Sequence, residues 1–295
     1  MTKEHEISRK HLLLLFLYGV IIFGVFCLVL FPKERIIRQA LYRVSERSSY
    51  LLSAKELLVA FPGQVELKNL TITKKDSRAE AEGFPHFQID TVRIKPKYSQ
   101  LFLKKLALLF DLELYQGKCS GVTSFDLLQP HYLKELDCLG QGIQLASLKQ
   151  IRELLNIHIN GQLSGKAKLH LDKNDIETLS GDYSFEVAPG DIQIMSFPGF
   201  SFRQINGQGS LSHGKIRIRS MRIQGDDLQA QITGDLQLDK NIARSFLKVK
   251  VNLKISQEMK EKLGPLANFL PPQQDREGIQ LTIRGNLNNL SFLPT

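Results

Sequence analysis

The stretch from Leu247 to Ile255 limits what this chain can fold into more than any other feature. Leu247, Val249, Val251, Leu253 and Ile255 alternate without a break with Lys248, Lys250, Asn252 and Lys254. An extended strand sends successive side chains to opposite faces, so this segment is a strand with one apolar inner face and one wet, basic face. Leu169 and Leu171 alternate in the same way with Lys168, His170 and Asp172, and Tyr183, Phe185 and Val187 with Ser184 and Glu186. Turn signals divide such runs at Asn160-Gly161, Pro189-Gly190, Asn206-Gly207, His213-Gly214, Gly225-Asp226 and Gly234-Asp235. Their recurrence about every 8–12 residues indicates antiparallel hairpins rather than βαβ units.

One pattern departs from strict alternation. Val65, Leu67, Leu70 and Ile72 occupy places 1, 3, 6 and 8 of their segment, and Ile216, Ile218, Met221 and Ile223 repeat that spacing. Ile143, Leu145 and Leu148 reproduce its first three places. The jump from 3 to 6 is what a bulge or local bend requires, unless the echo is a coincidence among many strands. Helical periodicity is confined to a few short segments: 145–155, 256–263 (stopped by Gly264-Pro265) and a turn at 99–103. So few helices cannot cover an extended sheet on both faces. The expected fold is mainly β: a curved antiparallel sheet folded over itself, with an apolar inner face and a few short helices.

The N-terminal part follows another rule. Residues 12–31 contain no charge, and as a helix they would rise about 30 Å, the thickness of a bilayer's hydrocarbon core. A cleaved signal peptide has a shorter apolar region and a small-residue exit, whereas this segment exits through Leu30-Phe31-Pro32-Lys33. Residues 12–31 therefore read as an uncleaved transmembrane signal anchor behind a cytoplasmic head, 1–11. A membrane-proximal helix, 32–52, precedes the β-rich domain, 53–295. Lys33, Arg35, Arg38 and Arg43 after the span outnumber Lys3, Arg9 and Lys10 before it. The positive-inside count thus does not favour a cytoplasmic N-terminus, but long domains translocate largely regardless of charge. In the membrane-proximal helix Ile36, Ile37, Ala40, Leu41 and Val44 recur at helical spacing. Arg35, Arg38, Arg43 and Arg47 could meet anionic headgroups, or the helix could be a stem packed on the domain.

Cys119 and Cys138 are the only cysteines beyond the span. An oxidising compartment would let them form a disulfide closing about 20 residues, worth ~3 kcal/mol by chain entropy; the alternative is two free thiols. The seven histidines form no metal-ligand cluster, and no nucleophile elbow, P-loop or kinase motif occurs. The paired acids Asp226-Asp227 and Asp175/Glu177 fall at turns, where carboxylates are solvated. No catalytic residue, cofactor or metal is expected. The formal net charge of +9 asks for a partner or a solvated outer face. Its candidate basic face is Arg217, Arg219 and Arg222 on one predicted hairpin with Lys248, Lys250 and Lys254 on one strand. For a translocated domain the anionic partner would be lipid, lipopolysaccharide or an acidic protein, and not nucleic acid.

These residues together carry a resemblance. A single span exits as Phe31-Pro32-Lys33-Glu34-Arg35 into a short helix. Strands follow bearing Gly161-Gln-Leu-Ser-Gly165, Leu179-Ser-Gly181, Asn206-Gly-Gln-Gly209 and Ile232-Thr-Gly234. The chain closes with Ile283-Arg-Gly285 and Leu290-Ser-Phe-Leu-Pro294. From about Leu12 to Pro294 the order and spacing of these motifs resemble the type II secretion system protein N (GspN) family and the wider AsmA-like group. Each motif alone is loose, because hairpin glycines are common. The resemblance implies a bitopic bacterial inner-membrane protein with its N-terminus cytoplasmic and a β-rich domain in the periplasm. It implies a non-catalytic accessory role beside other envelope proteins of the secretion system. The AsmA-like group implies an open groove with an apolar lining, and hence lipid binding or lipid transfer. A groove filled by its own side chains would favour a scaffold; one left open would favour lipid.

Overall fold

The computed structural model describes residues 18, 22, 33–48, 50–60, 63–75, 87–103, 105–126, 133–148, 157–171, 178–194, 199–239, 244–264, 278–286 and 289–294. Of the apolar span 12–31, only Tyr18 and Ile22 fall among them; both are helical and exposed, and the rest of that expectation lies outside the described residues, as does the head, 1–11. No helix among the described residues is long and apolar enough to cross a membrane.

Helix α1 (Lys33–Arg47) leads into β1 (Tyr50–Ala60), β2 (Gln64–Lys74), β3 (Phe87–Pro96), β4 (Lys105–Leu114), β5 (Gly117–Asp126) and β6 (Leu133–Gln144). There follow β7 (Ile157–Ile159), β8 (Gln162–His170), β9 (Ser180–Val187), β10 (Gly190–Ile194), β11 (Phe200–Phe202), β12 (Gln204–Ser212), β13 (Lys215–Gln224) and β14 (Leu228–Gln237). Then come β15 (Phe246–Ile255), helix α2 (Gln257–Leu263), β16 (Ile279–Asn286) and β17 (Asn289–Pro294). Fourteen strands make one antiparallel sheet in the order β1-β2-β3-β4-β5-β6-β8-β9-β12-β13-β14-β15-β16-β17. It is a meander: each strand pairs with the sheet strand before it, and among the described residues β1 and β17 are its edges. The short strands β11-β10-β7 form a separate three-stranded sheet.

The helix–strand boundary differs from the sequence expectation. The helix stops at Arg47 and β1 begins at Tyr50, ahead of residue 53. Serine hydroxyls close the junction: Ser45 Oγ donates to Tyr50 O (3.1 Å), Ser48 Oγ donates to the same oxygen (3.0 Å), and Leu52 N donates to Ser45 Oγ (3.4 Å). These bonds give the backbone partners other than a further helical turn.

Two predicted turns are not turns. Asn206-Gly207 lies inside β12 and Gly234-Asp235 inside β14. At both, the glycine makes room for a neighbouring residue instead of reversing the chain. His213-Gly214 is a true hairpin turn, with φ values of 50° and 68° at the two central residues, the positive values that a tight hairpin demands. The 145–155 helix is a 3-10 turn over Leu145–Ser147 where it is described, and residues 149–156 lie outside the described residues. The 256–263 helix is present as α2. Ser256 caps it by accepting from Met259 N (3.1 Å), and Gly264 ends it. The turn expected at 99–103 is a 3-10 segment, Tyr98–Leu103.

The 1-3-6-8 echo has a structural cause in two of its three instances. At Asn69 in β2 the backbone takes a positive φ of 51°, so Val65, Leu67, Leu70 and Ile72 all reach one core cluster. In β13 the pairing with β14 shifts between Ile218 and Met221, and its pairing with β12 shifts at Gln208/Gly209. Without these slips half of each strand's apolar residues would face solvent. At 143–148 the strand instead ends and the 3-10 turn carries Leu145 and Leu148 into a second cluster.

Candidate functional site

Directly opposed residues of an antiparallel ladder share a face, so the register traces each face across the sheet. One row begins at Leu57 in β1 and passes Leu67, Val92 and Leu112 to Cys119 in β5. It continues through Gly140, Gly165, Phe185, Gly207 and Met221. It ends through Ile232, Val251 and Leu281 to the register position of Pro294 in β17. Every strand of the sheet contributes to this row, and none contributes a charge or a hydrogen-bonding side chain stronger than a thiol. At about 4.8 Å per strand the row measures roughly 62 Å along the ladder. The parallel rows match it: Val59, Val65, Ile94, Phe110 and Gly121 lie to one side in β1 to β5, and Ala230, Leu253 and Ile279 line up in β14 to β16. The predicted inner face of β15, Leu247, Val249, Val251, Leu253 and Ile255, lies wholly on this surface.

Burial of this face follows what covers it. Over β1–β3 the cover is α1, whose Ile37 and Leu41 pack against Leu57, Leu67, Leu70 and Val92. Along one strand-end rim the cover is the small sheet: its Phe202 is buried with Leu145, Val187 and Ile205, and its Ile159 and Ile192 pack against that cluster, as do Leu163 and Ile223. Beside it α2 plants Met259, 2% exposed, against Ile255 and Ile279. Elsewhere, Val249 apart, the face is only half-buried, as at Leu106, Leu108, Phe110, Leu112, Leu136, Leu169, Leu211, Ile216, Leu236, Leu247 and Leu290. Contiguous exposed apolar surface beyond a few hundred Å² marks an interaction site on a water-soluble surface.

Aromatic rings lie flat on this floor. Tyr183 and Phe185 stack with centroids 6.5 Å apart and planes at 10°, and glycines stand beneath them. A Cβ at Gly207 would come within 2.5 Å of Phe185 Cε1, and one at Gly209 within 2.5 Å of the Tyr183 hydroxyl oxygen. Partial burial pushes the Tyr183 phenol above its ordinary pKa.

Cys119 and Cys138 share this surface. Cys119 stands opposite Gly140 and Cys138 opposite Gly121, so the two sit on a diagonal of the β5–β6 ladder. They are separate free thiols in this structure. Burial, then the neighbouring Cys138, raises the Cys119 pKa.

The opposite face is polar. The predicted basic residues Arg217, Arg219 and Arg222 all lie in β13, and Lys248, Lys250 and Lys254 in β15. The sheet partly neutralises them: Arg217 Nε meets Asp235 Oδ1 at 3.3 Å, and Arg219 reaches across β12 to Asp182 at 2.9 Å. Arg222 lies between two depressions of about 520 Å³ each, one reaching Asn206 and Gln208, the other Gln231, Asn252 and Gln280. The acids predicted to be solvated divide: Asp226 pairs with Arg203 and Asp227 with Lys262 (3.4 Å), while 175 and 177 lie outside the described residues. Arg35, Arg38 and Arg43 are exposed on α1, and Arg47 ends that helix. Among the described residues no three His, Cys, Asp or Glu side chains gather to hold a metal.

None of the known protein families, curated proteins and solved structures compared with this chain matches it.

The register puts Leu247, Val249, Val251 and Leu253 on one face of β15, as their alternation in the sequence indicates. Sequence reasoning did not indicate that the rings of Phe185 and Tyr183 lie over Gly207 and Gly209, nor that Lys215 and Arg284 stand beside Arg217 and Lys248. The alternation around Phe185 was visible, but which glycine lies opposite is fixed only by the register.

Proposed function

We propose that the chain is a membrane-tethered, non-catalytic lipid-binding protein of the bacterial envelope, an accessory of the type II secretion machinery that its sequence resembles. Its N-terminal segment spans the inner membrane with the N-terminus cytoplasmic. The β-rich domain stands in the periplasm and curves into a trough whose apolar side takes acyl chains. One observation carries this reading: the apolar row runs unbroken through all fourteen strands and is left half-open between its covered ends. A scaffold would fill such a surface with its own side chains, because leaving it wet costs about 25 cal/mol per Å². A lipid-binding surface keeps it free and places no unpaired donor on it.

The helix α1 supports tethering at the membrane surface. Ile37 and Leu41 face the sheet, but Ile36 and Val44 are 44% and 55% exposed. Both readings of this helix are thus compatible: it is a stem packed on the domain, and it keeps an outward apolar stripe beside Arg43. Such a stripe flanked by arginines suits an anionic bilayer surface.

The test is site-specific photo-crosslinking in native membranes, with probes at successive positions of β15 and mass spectrometry of both lipid and protein adducts. Probes at 247 and 251, half-buried on the apolar face, are expected to capture phospholipid and probes at 248 and 250 not to. Adducts to secretion-system subunits alone, at both parities, would replace lipid binding with a purely scaffolding role.

A further inference from the structure

On the polar face this sheet matches several of its cations with carboxylates. Arg93 lies between Glu66 (3.5 Å) and Glu113 (3.2 Å), Lys68 meets Glu56 at 2.9 Å, and Arg219 meets Asp182 at 2.9 Å. In the ladder two cations also oppose each other. Lys248 and Arg284 stand directly opposite each other in the β15–β16 ladder. Like charges at opposed positions destabilise a sheet. The carboxylate next in that row, Asp235, is the register partner of both Lys248 and Arg217. It is already engaged by Lys215 Nζ (3.0 Å) and Arg217 Nε (3.3 Å), and the register sets Lys215, Arg217, Lys248 and Arg284 together on the polar side of β13, β15 and β16.

The position of this cluster is informative. It lies toward the rim formed by the His213-Gly214 turn and the start of β15, whereas α2 and the small sheet cover the opposite rim. On the other side of the same strand segments lie Ile216, Leu236 and Leu247, half-buried and in none of the core clusters. A lipid whose chains rest on that uncovered end of the apolar face has its headgroup at this rim. Resting on the acyl-chain reading above, we infer that Lys215, Arg217, Lys248 and Arg284 bind the phosphate of an anionic lipid headgroup. Guanidinium and ammonium groups on neighbouring strands supply the charge-assisted hydrogen bonds that a phosphodiester accepts. Its charge would relieve the Lys248–Arg284 opposition.

The full chain in neutral detergent is titrated with short-chain phosphatidylglycerol and with phosphatidylcholine of the same chain length. The wild type is expected to bind the anionic lipid about tenfold more tightly, with a preference that shrinks as salt rises. In Arg284→Glu the two lipids should bind equally, at the wild-type affinity for phosphatidylcholine. The new carboxylate faces Lys248, so the melting temperature should hold or rise, which separates lost binding from misfolding. A preference that survives in Arg284→Glu, or equal binding of both lipids by the wild type, overturns the headgroup site while leaving the apolar trough standing. Binding of neither lipid overturns the trough, and this site with it. Inorganic phosphate binding as tightly as the lipid would make the cluster a free-anion site and overturn the headgroup assignment.

Discussion

Gly207 stands opposite Phe185 in the β9–β12 ladder, and the phenyl ring covers it so closely that a Cβ there would meet Cε1 at 2.5 Å and Cζ at 2.6 Å. The absence of a side chain on one strand is what lets the ring of its neighbour lie down. Gly207→Val therefore has to lift the ring off the floor. The expected cost is about 1–3 kcal/mol, the range for overpacking a fitted site. Combining Gly207→Val with Phe185→Leu should recover much of the loss, because the two changes relieve one clash. Chemical denaturation of the four proteins checks this; a strictly additive double variant would place the ring elsewhere.

The phase of β15 can be tested by contrast within one strand. Val249 is 5% exposed, while Val251, with Ile232 and Leu281 as its register partners, is half-buried on the open part of the same face. Val249→Asp should cost about 1–3 kcal/mol or more, since a carboxylate there loses its water without gaining a partner. Val251→Asp should cost less, because its half-buried setting lets water reach it, yet on the lipid-binding proposal it should sharply lower lipid capture. Lys250→Asp, on the polar face, should leave stability within about 0.5 kcal/mol. Equal effects at 249 and 250 would overturn the strand's phase.

That phase was legible in the sequence because a two-residue period needs only local information. Leu247 to Ile255 fixed both faces of β15, and the 1-3-6-8 spacing located the slips at Asn69 and Ile218/Met221. Ser256 and Gly264 marked both ends of α2, because capping is a local matter of one hydroxyl and one missing Cβ. What was not legible depends on neighbours distant in the chain. Gly207 and Gly234 looked like turns because a glycine's effect on its own backbone is visible in sequence, whereas the ring or strand it makes room for is not. The stripe on α1 looked single, but Ile37 and Leu41 turn to the sheet while Ile36 and Val44 turn away, a split set by where β1–β3 lie. The Lys248–Arg284 opposition required the register of two strands joined by a long connection.

Cys119 offers a pH test. Its folded pKa is raised by burial and by Cys138, so the folded state favours the neutral thiol. A raised pKa contributes stability that is fully present below the unfolded value, about 8.5, and is lost as pH rises through the folded value. Under reducing conditions the melting temperature of the wild type should thus fall more between pH 8 and higher pH than that of Cys119→Ser. The half-exposed setting keeps this difference small. Iodoacetamide should modify Cys119 more slowly than a free cysteine at pH 8, since the thiolate is the reactive form. If the two bridge when no reductant is present, Cys119→Ser will lower the melting temperature by several degrees. Equal reactivity of Cys119 and free cysteine would remove the burial effect.

The two sides of α1 should separate stability from membrane contact. Leu41 packs on the cluster formed by Leu57, Leu67, Leu70 and Val92, so Leu41→Ala should destabilise by about 1–3 kcal/mol, below the range for a fully buried leucine because Leu41 is only partly covered. Val44 is 55% exposed, so Val44→Cys should leave stability within about 0.5 kcal/mol. An environment-sensitive fluorophore attached there should shift to the blue when the protein is placed in vesicles containing anionic lipid. The same label at Gln39, exposed on a different side of the helix, should shift less. High salt should reduce the Val44 shift, because Arg35, Arg38 and Arg43 contribute through exposed charge that salt screens. Identical emission at both positions, in vesicles with and without anionic lipid, would leave α1 as a stem alone and withdraw the membrane surface from its role.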